Sequence, residues 1–305
     1  PMVERTPIFN AICQIVLLIG LVTVLLPFVI VIVAATHDIR TVNTVPMPLV
    51  PGSDLFINLH EAWVRADLGR KLFNSLLFAG AVAAGKVLLS SMAAFAIVYF
   101  RFPGRSLMFW LIFVTLMLPL EVRIVPTYAV AANALAPFQA ILNITGITWL
   151  VQTVAGLQLK LEWGLLNSYT GLILPLVATA TGTFLYRQFY LTVPDELAEA
   201  AKMDGSGPVR FFADILLPLS KPNMIALFTI MFIWAWNQYL WPLLITTDPN
   251  FGIAVTQLKH LIPSEFGLPD WNVAMAGTLI IMAPPLIVVI LMQRWFVRGL
   301  ISTEK

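Results

Sequence analysis

Six long apolar segments constrain the fold of this chain more than any other feature. Each holds roughly the 20 mostly apolar residues that an α-helix needs to cross the hydrocarbon core of a bilayer. Because backbone polar groups find no partners in lipid, such segments are expected to be helical. The sequence predicts an all-α, polytopic membrane protein whose residues 1–305 form a single transmembrane domain. The six predicted spans are residues 12–35, 72–99, 107–130, 172–190, 223–246 and 273–297.

Composition excludes an ordinary soluble domain. Apolar residues make up 59% of the chain and charged residues 11%, against about 25% charged residues in soluble domains. Cys13 is the single cysteine, so no intrachain disulfide and no cysteine-based metal site is expected. The three histidines are scattered among predicted loops, and we expect no metal ligands among them. The opening residues have too little basic character for a signal peptide, so we expect an uncleaved first span. The bilayer is an expected partner; nucleic acid is not.

The distribution of basic residues predicts the orientation in the membrane. With six spans, both termini, the turn at 101–105 and a polar segment at 191–222 share one side. That side carries more basic residues per loop length than the other, and by the positive-inside rule it faces the cytoplasm. Its basic residues are Arg5, Arg101, Arg105, Arg187, Lys202, Arg210, Lys221, Arg294, Arg298 and Lys305.

An uncharged segment at residues 138–159 leaves an alternative open. Its apolar residues favour insertion as a seventh span, whereas four amide side chains and two glycines oppose it. A seventh span would place the polar segment and the Arg101–Arg105 turn on opposite sides of the membrane. The charge rule therefore favours an external insertion at about 137–160, either as a helical excursion or as a helix in the membrane interface.

The polar segment (residues 191–222) is predicted to be a helix-turn-helix. Pro194 suits a first helical position, and Thr192 and Asp195 suit a capping pair. Gly205 is expected to end this helix. The second helix is predicted over 209–217, stopped by Pro218.

The sequence contains no complete catalytic or nucleotide-binding motif. The glycines and lysine at 80–86 partly match a phosphate-binding loop, but they lie inside an apolar span and no Ser or Thr follows Lys86. No carboxylate cluster, Cys/His set or nucleophile with a base occurs at membrane depth, which disfavours a membrane-embedded lipid-modifying enzyme. The sequence lacks both internal repeats and buried carboxylates, and these absences disfavour a proton-coupled secondary transporter.

Several polar residues at or near membrane depth are candidates for a translocation path. Lys86 is costly in mid-span and is expected to face a polar interior, either as a cation for an anionic solute or as a structural partner. Glu121 and Arg123 lie at the expected outer end of the third span, where they are either solvated at the rim or in contact with the substrate. Near the end of the fifth span, Tyr239 and Trp241 suit an interfacial aromatic belt, whereas the adjacent amides do not suit lipid. The candidates are Lys86, Glu121, Arg123, Asn237 and Gln238.

A spacing pattern in the polar segment carries a resemblance to a known family. The EAA loop is matched by Glu199-Ala200-Ala201, by Gly205 after three intervening residues, and by the Ile215–Pro218 stretch after nine more. This pattern resembles ATP-binding-cassette (ABC) importer permeases, and the chain is similar over essentially its whole length to the second subunit of the maltose-type carbohydrate permeases among them. Stretches at 95–105, 115–124, 184–190, 236–245 and 293–300 are most similar to the second permease subunits of glycerol-3-phosphate importers. The insertion at about 137–160 departs from the family pattern.

The resemblance implies a non-catalytic permease in a bacterial inner membrane, with both termini cytoplasmic. It implies a heterodimer with a homologous permease, an external solute-binding protein reached by residues 247–272, and two cytosolic ATP-binding subunits that dock on 192–222. ATP and magnesium would bind those subunits, and no cofactor would bind this chain. A coupling helix at 195–204 would sit in the ATPase cleft, and a tail at 300–305 would also reach the ATPase. The residues implied in coupling are Glu199, Ala200, Ala201, Asp204, Gly205, Ile215 and Pro218.

The same resemblance implies the solute. We expect sn-glycerol-3-phosphate or glycerophosphodiesters, with a sugar or oligosaccharide as the alternative. Lys86 and Arg123 suit an anion, but either side chain also suits a structural role.

Overall fold

A computed structural model of the chain describes residues 7–115, 118–262 and 267–301, and no strand occurs within these ranges. The all-α prediction is confirmed. The first half contains α1 (Pro7–Ala35), α2 (Ile39–Val42), α3 (Leu55–Arg65), α4 (Leu68–Tyr99), α5 (Arg105–Val114), α6 (Leu120–Ala132), α7 (Ala136–Ile144) and α8 (Ile147–Ala155).

The second half has more numerous and shorter helices. Among the described residues, they are interrupted by two 3₁₀ turns, Leu174–Leu176 and Pro249–Phe251, and by one π-helical stretch, Phe212–Leu216. The α-helices are α9 (Tyr169–Ile173), α10 (Ala180–Tyr190), α11 (Asp195–Met203), α12 (Pro208–Phe211), α13 (Leu217–Leu219), α14 (Lys221–Trp236), α15 (Leu240–Ile245), α16 (Ala254–Leu261) and α17 (Trp271–Ile301).

Within the described residues, three helices are long and apolar enough to cross a membrane: α1, α4 and α17. Three bent helix pairs raise the number to as many as six if each pair forms one span. The bends measure 71° between 121–132 and 136–144, 48° between 169–176 and 180–190, and 74° between 208–219 and 221–236. These criteria are length and composition, so the number of spans and their bounds stay predictions.

Breaks divide the third and fifth predicted spans. The third contains α5 and α6, and Pro119 between them has an extended backbone with ψ of 154°. Proline lacks an N–H and keeps the residue before it out of the helical region, which accounts for a break at this position. The fifth contains α14 and α15, separated by residues 237–239.

The 138–159 segment forms no continuous membrane-length helix. It contains most of α7 and all of α8, which have nine residues each. Gly146, with φ of +74°, makes the turn between them. A nine-residue helix is only about 13.5 Å long, too short to cross a bilayer. The helical excursion therefore fits the observed elements better than a straight seventh span.

The polar segment begins as predicted but is capped differently. Helix α11 starts at Asp195, and its N-terminus has no side-chain cap. The Thr192 hydroxyl instead donates to the carbonyl of Phe189, at 2.7 Å. The predicted capping pair is therefore wrong, because the hydroxyl is used by the end of the preceding helix.

Pro218 does not stop the second helix of the polar segment, contrary to the prediction. The helical stretch runs from Pro208 to Leu219, with the π-helical turn at Phe212–Leu216 inside it. A proline at this position has no N–H to give to the carbonyl of Asp214 and would clash with it in a regular α-helix. The wider π turn just before it changes this register, so the chain stays helical.

The described residues of 1–71 and 257–284 form one compact unit. Buried Asn58 organises it: its amide donates to the carbonyls of Ala35 and His37, and its oxygen accepts from Asn272. Arg65 bridges Glu61 and Asp270, both at 2.7 Å. These bonds connect the end of α1, α3 and the start of α17.

The described residues of 72–256 and 285–301 form the second compact unit, which contains the main apolar core. Trp241 is fully buried there and donates from its indole nitrogen to the carbonyl of Leu172, at 3.2 Å. Trp241 is therefore a core residue, and the prediction that it belongs to an interfacial belt is wrong. Tyr239, on the same stretch, is 41% exposed.

Small residues bring three helices of this unit together. A Cβ on Gly182 of α10 would lie only 2.3 Å from the Ser90 hydroxyl of α4 and 3.1 Å from Leu227 of α14. Glycine at this position allows the helices to approach closely. This close approach positions the residues described next.

Candidate translocation cavity and coupling surface

A cavity of about 700 Å³ lies within the second unit. We call it the Lys86 cavity. Its walls come from α4, the α5–α6 connection, the start of α6, the stretch from Ala178 into α10, and the end of α14. Four of the five predicted path residues line it: Lys86, Glu121, Arg123 and Gln238.

Lys86 is the most deeply buried charged residue of the cavity, at 5% exposed. Its ammonium lies over the Trp234 ring, 3.5 Å from the ring centroid. Within the described ranges it has no ion pair and no hydrogen bond. A cation held over an aromatic face gains electrostatic energy, and more so when it is shielded from water. The prediction that Lys86 faces a polar interior agrees with its place in the cavity wall, and the Trp234 contact is what sequence reasoning missed.

Arg123 adds a second cation to the same cavity. Its Nε is buried and has no hydrogen-bond partner among the described residues. Glu121 is exposed, and no ion pair joins it to Arg123 in the part of the chain described here. Residues two apart on a helix point in different directions, which explains why these two side chains do not pair. The cavity therefore carries a positive charge excess over its single acidic residue.

The two amide side chains predicted for the path, Asn237 and Gln238, lie in different environments. Gln238 lines the cavity, whereas Asn237 is exposed and outside its lining. The Asn237 amide donates back to the carbonyl of Ile233, at 2.9 Å, where α14 ends. Its observed role is thus at a helix C-terminus.

The beginning of α10 forms another part of the wall. Thr179, Ala180, Thr181 and Thr183 all line the cavity. The helix has 11 residues and no side-chain cap at its N-terminus. The first N–H groups of a helix lack intrahelical partners and carry partial positive charge. The cavity therefore combines two cationic side chains with the positive end of a helix dipole.

The polar segment presents a separate, exposed surface. Glu199, Ala200, Asp204, Gly205 and Pro218 are exposed. Two other predicted coupling residues face inward: Ala201 is buried, and Ile215 packs partly buried against the core. The segment thus has an inner side that attaches it to the protein and an outer side that is free within the described chain.

Hydrogen bonds explain why α11 ends at Gly205. The Gly205 N–H donates to the carbonyl of Lys202, and the Ser206 N–H donates to the carbonyl of Ala201. Together with φ of +72° at Gly205, these bonds form a Schellman motif. The prediction that Gly205 ends the helix is confirmed.

An aromatic cluster attaches the polar segment to the long helix α4. Ring centroids of Phe95 and Phe212 are 4.9 Å apart, and those of Tyr99 and Phe211 are 5.3 Å apart. Tyr190, at the end of α10, contacts Tyr99 as well. Sequence reasoning missed this cluster, although the four-residue spacing of Phe95 and Tyr99 places both on one helix face.

Comparisons with known proteins agree with this architecture. Residues 86–302 match the family model described as the binding-protein-dependent transport system inner membrane component. A crystal structure of a bacterial ABC transporter involved in the import of the acidic polysaccharide alginate contains a chain with a TM-score of 0.72 to this one. The likeness covers 97% of this chain and 99% of that one at 18% identity, and it shows the fold alone.

The class defined by fold and site is the ABC importer permease. The chain belongs to the family of binding-protein-dependent transport system inner membrane components. It is 47% identical over its full length to the sn-glycerol-3-phosphate transport system permease protein UgpE of Pectobacterium atrosepticum. It is 46% identical, again over the full length of both chains, to UgpE of Escherichia coli O157:H7.

Proteins of this family are subunits of multi-subunit transporters. The chain is a non-catalytic inner-membrane permease, and ATP hydrolysis belongs to a separate subunit. The family works with a solute-binding protein, an ATPase and a homologous permease. The resemblance based on the Glu199–Pro218 pattern is thereby confirmed.

Proposed function

We propose that this permease takes up sn-glycerol-3-phosphate, or a glycerophosphodiester, through the Lys86 cavity. The observation that carries the proposal is the charge of that cavity. Lys86 and Arg123 line it without an ion pair in the described chain, and only one acidic residue, Glu121, accompanies them. An unpaired buried cation such as Lys86 is costly and is expected where an anion binds. The names of the full-length relatives support the same solute class.

The proposed complex follows the family arrangement. The chain pairs with a homologous permease, and both termini face the cytoplasm. Two ATP-binding subunits, which hold ATP and magnesium, dock on residues 192–222. The solute-binding protein docks on the opposite side at 247–272, of which 263–266 lie outside the described residues. Residues 302–305 of the proposed ATPase-contacting tail lie outside them too.

The polar segment is suited to transmit movement. Glu199 and Asp204 are exposed carboxylates beside the exposed Ala200, and large apolar side chains at Met203 and Val209 are 84% and 79% exposed. Small and apolar groups rimmed by charge suit a protein–protein contact. Through the aromatic cluster, a displacement of α11 and α12 reaches α4, the helix that carries Lys86.

The test is ATP hydrolysis and uptake by the complex reconstituted in proteoliposomes with its solute-binding protein. Glycerol-3-phosphate is expected to stimulate both ATP hydrolysis and uptake. Comparing this stimulation with that by glycerophosphodiesters shows which of the two solutes the complex prefers. Stimulation by a neutral sugar alone would overturn the assignment in favour of a carbohydrate permease.

Coupling is tested with Glu199→Lys. The variant is expected to reach the membrane in normal amount but to lose solute-stimulated ATP hydrolysis, because it places a cation on the proposed docking surface. Lys160→Ala serves as a control, since Lys160 is exposed and pairs with Glu162 in the excursion. Normal stimulation in Glu199→Lys would contradict the docking proposal.

A further inference from the structure

We propose that the Lys86 cavity contains a phosphate-binding site formed by Lys86, Arg123 and the first turn of α10, in which the Trp234 ring positions the Lys86 ammonium. The inference rests on the proposed function and deepens it, because it assigns the recognition of the phosphate group to named atoms of this subunit. The ligand chemistry is a phosphate monoester, whose charge is between −1.5 and −2 near neutral pH.

The first argument is the incomplete environment of Lys86. An ammonium has three N–H donors, and a ring face attracts its charge without supplying three acceptor atoms. The residue is only 5% exposed, and its side-chain nitrogen has no hydrogen bond within the described chain. Its remaining donors are thus available to phosphate oxygens in the cavity.

Arg123 provides the second argument. Its buried Nε lacks a hydrogen-bond partner in the described residues, although guanidinium nitrogens are nearly always satisfied when buried. The planar guanidinium matches phosphate oxygens with two parallel hydrogen bonds. An anion placed at this wall would satisfy a donor that the protein alone leaves unsatisfied.

The third argument is the position of α10. Its N-terminal residues Thr179, Ala180 and Thr181 line the same cavity, and helix N-termini bind phosphate through free N–H groups and the helix dipole. The helix start is significant here because the unpartnered Lys86 lies in the same wall. The three elements come from α4, α6 and α10, so the site exists only in the folded unit.

Glu121 sets the orientation of a bound solute. It is the one carboxylate among the described residues of the lining, and it is exposed. A carboxylate repels phosphate but accepts hydrogen bonds from hydroxyl groups. The phosphate end therefore belongs at Lys86, and the polyol end belongs toward Glu121.

The experiment compares Lys86→Gln, Lys86→Arg and Arg123→Gln in the complete complex in proteoliposomes. Uptake of radiolabelled glycerol-3-phosphate is measured beside solute-stimulated ATP hydrolysis. Loss of a charge-assisted hydrogen bond corresponds to roughly a ten-fold or larger effect on binding. Uptake is expected to fall about ten-fold or more in both glutamine variants, whereas Lys86→Arg is expected to retain most of it.

Arg187→Gln is the matched control. The Arg187 guanidinium also lies over an aromatic ring, 4.3 Å from the Phe109 centroid, but it is outside the Lys86 cavity. Removing this cation is expected to leave glycerol-3-phosphate uptake within about two-fold of wild type. The thermal unfolding of each complex in detergent is measured in parallel, so that a fall in uptake is read only in variants that unfold within the wild-type range.

The outcomes separate the site from the proposed function. Wild-type uptake of glycerol-3-phosphate with unchanged uptake in Lys86→Gln and Arg123→Gln would overturn the site and leave the function standing. If the wild type carries a different phosphorylated solute, the proposed solute is wrong, and a fall in uptake of that solute in both variants supports the site. Equal losses in Lys86→Gln and Lys86→Arg would also overturn the site, since charge would not be what matters.

Discussion

At the scale of single residues, the buried polar side chains differ in whether the described protein satisfies their hydrogen-bond donors. Asn58 and Trp241 use their polar atoms fully within the fold, each donating to backbone carbonyls. Lys86 and Arg123 retain donors that no described residue satisfies. Because buried polar groups are normally paired, the second pair is where we propose that a ligand binds.

Trp234→Leu tests the aromatic contact at Lys86. Leucine keeps an apolar wall but removes the ring face, which is worth about 2 kcal/mol for a desolvated cation. The complex is expected to unfold at a lower temperature, and Trp234→Phe is expected to recover part of the loss. Differential scanning fluorimetry of the detergent-solubilised complex measures this. Identical unfolding temperatures for the leucine variant and wild type would show that the ring does not stabilise the lysine.

Gly205→Ala tests the end of α11. The position has φ of +72°, and a Cβ there meets nothing within 4 Å, so the cost comes from the backbone alone, about 1 kcal/mol. Solute-stimulated ATP hydrolysis is expected to fall, and less so in Gly205→Asn, because asparagine tolerates the left-handed region better than alanine does. Equal activity in wild type and Gly205→Ala would contradict a need for this turn.

At the scale of helices, the sequence predicts apolar segments well and their interruptions poorly. Hydropathy located α1, α4 and α17, because twenty apolar residues in lipid leave the backbone few alternatives. It missed the turn at Gly146, the break at Pro119 and the π turn that carries the helix through Pro218. Each lies at or near a glycine or a proline, and a count of apolar residues does not register the backbone conformation that these residues adopt. The Lys86 cavity shows the same division: its charged residues were predictable, but Trp234 and the start of α10 were not.

The contact between α4, α10 and α14 gives a prediction at this scale. Gly182→Ala would put a Cβ 2.3 Å from the Ser90 hydroxyl, and overpacking of this kind costs about 1–3 kcal/mol. The unfolding temperature of the complex is expected to fall. Gly80→Ala is the matched control, because a Cβ at Gly80 meets nothing within 4 Å and alanine favours a helix. A fall of equal size in both variants would point to a general intolerance of the membrane helices and not to this contact.

At the scale of the whole molecule, the Lys86 cavity and the polar segment serve different steps of transport under the proposed function, and α4 contributes to the cavity and contacts the polar segment. Lys86 lies in the middle of that helix, and the aromatic cluster around Phe95 and Tyr99 lies at its end. A rigid helix that joins two sites can carry a displacement from one to the other. The proposal that ATP hydrolysis drives solute movement requires the polar segment to be on the cytoplasmic side, and the six-span prediction places the 138–159 excursion on the opposite side.

Cysteine labelling tests this arrangement. Cys13 is the single cysteine of the chain, so a Cys13→Ser background allows one reactive position at a time. Met203→Cys in the polar segment and Thr153→Cys in α8 both place a thiol at an exposed position. In intact spheroplasts, a membrane-impermeant maleimide is expected to label Thr153→Cys and to label Met203→Cys only after the membranes are inverted, because six spans place residues 191–222 in the cytoplasm. Labelling of Met203→Cys in intact spheroplasts would mean that an odd number of spans precedes it from a cytoplasmic N-terminus, as a seventh span within 138–159 requires.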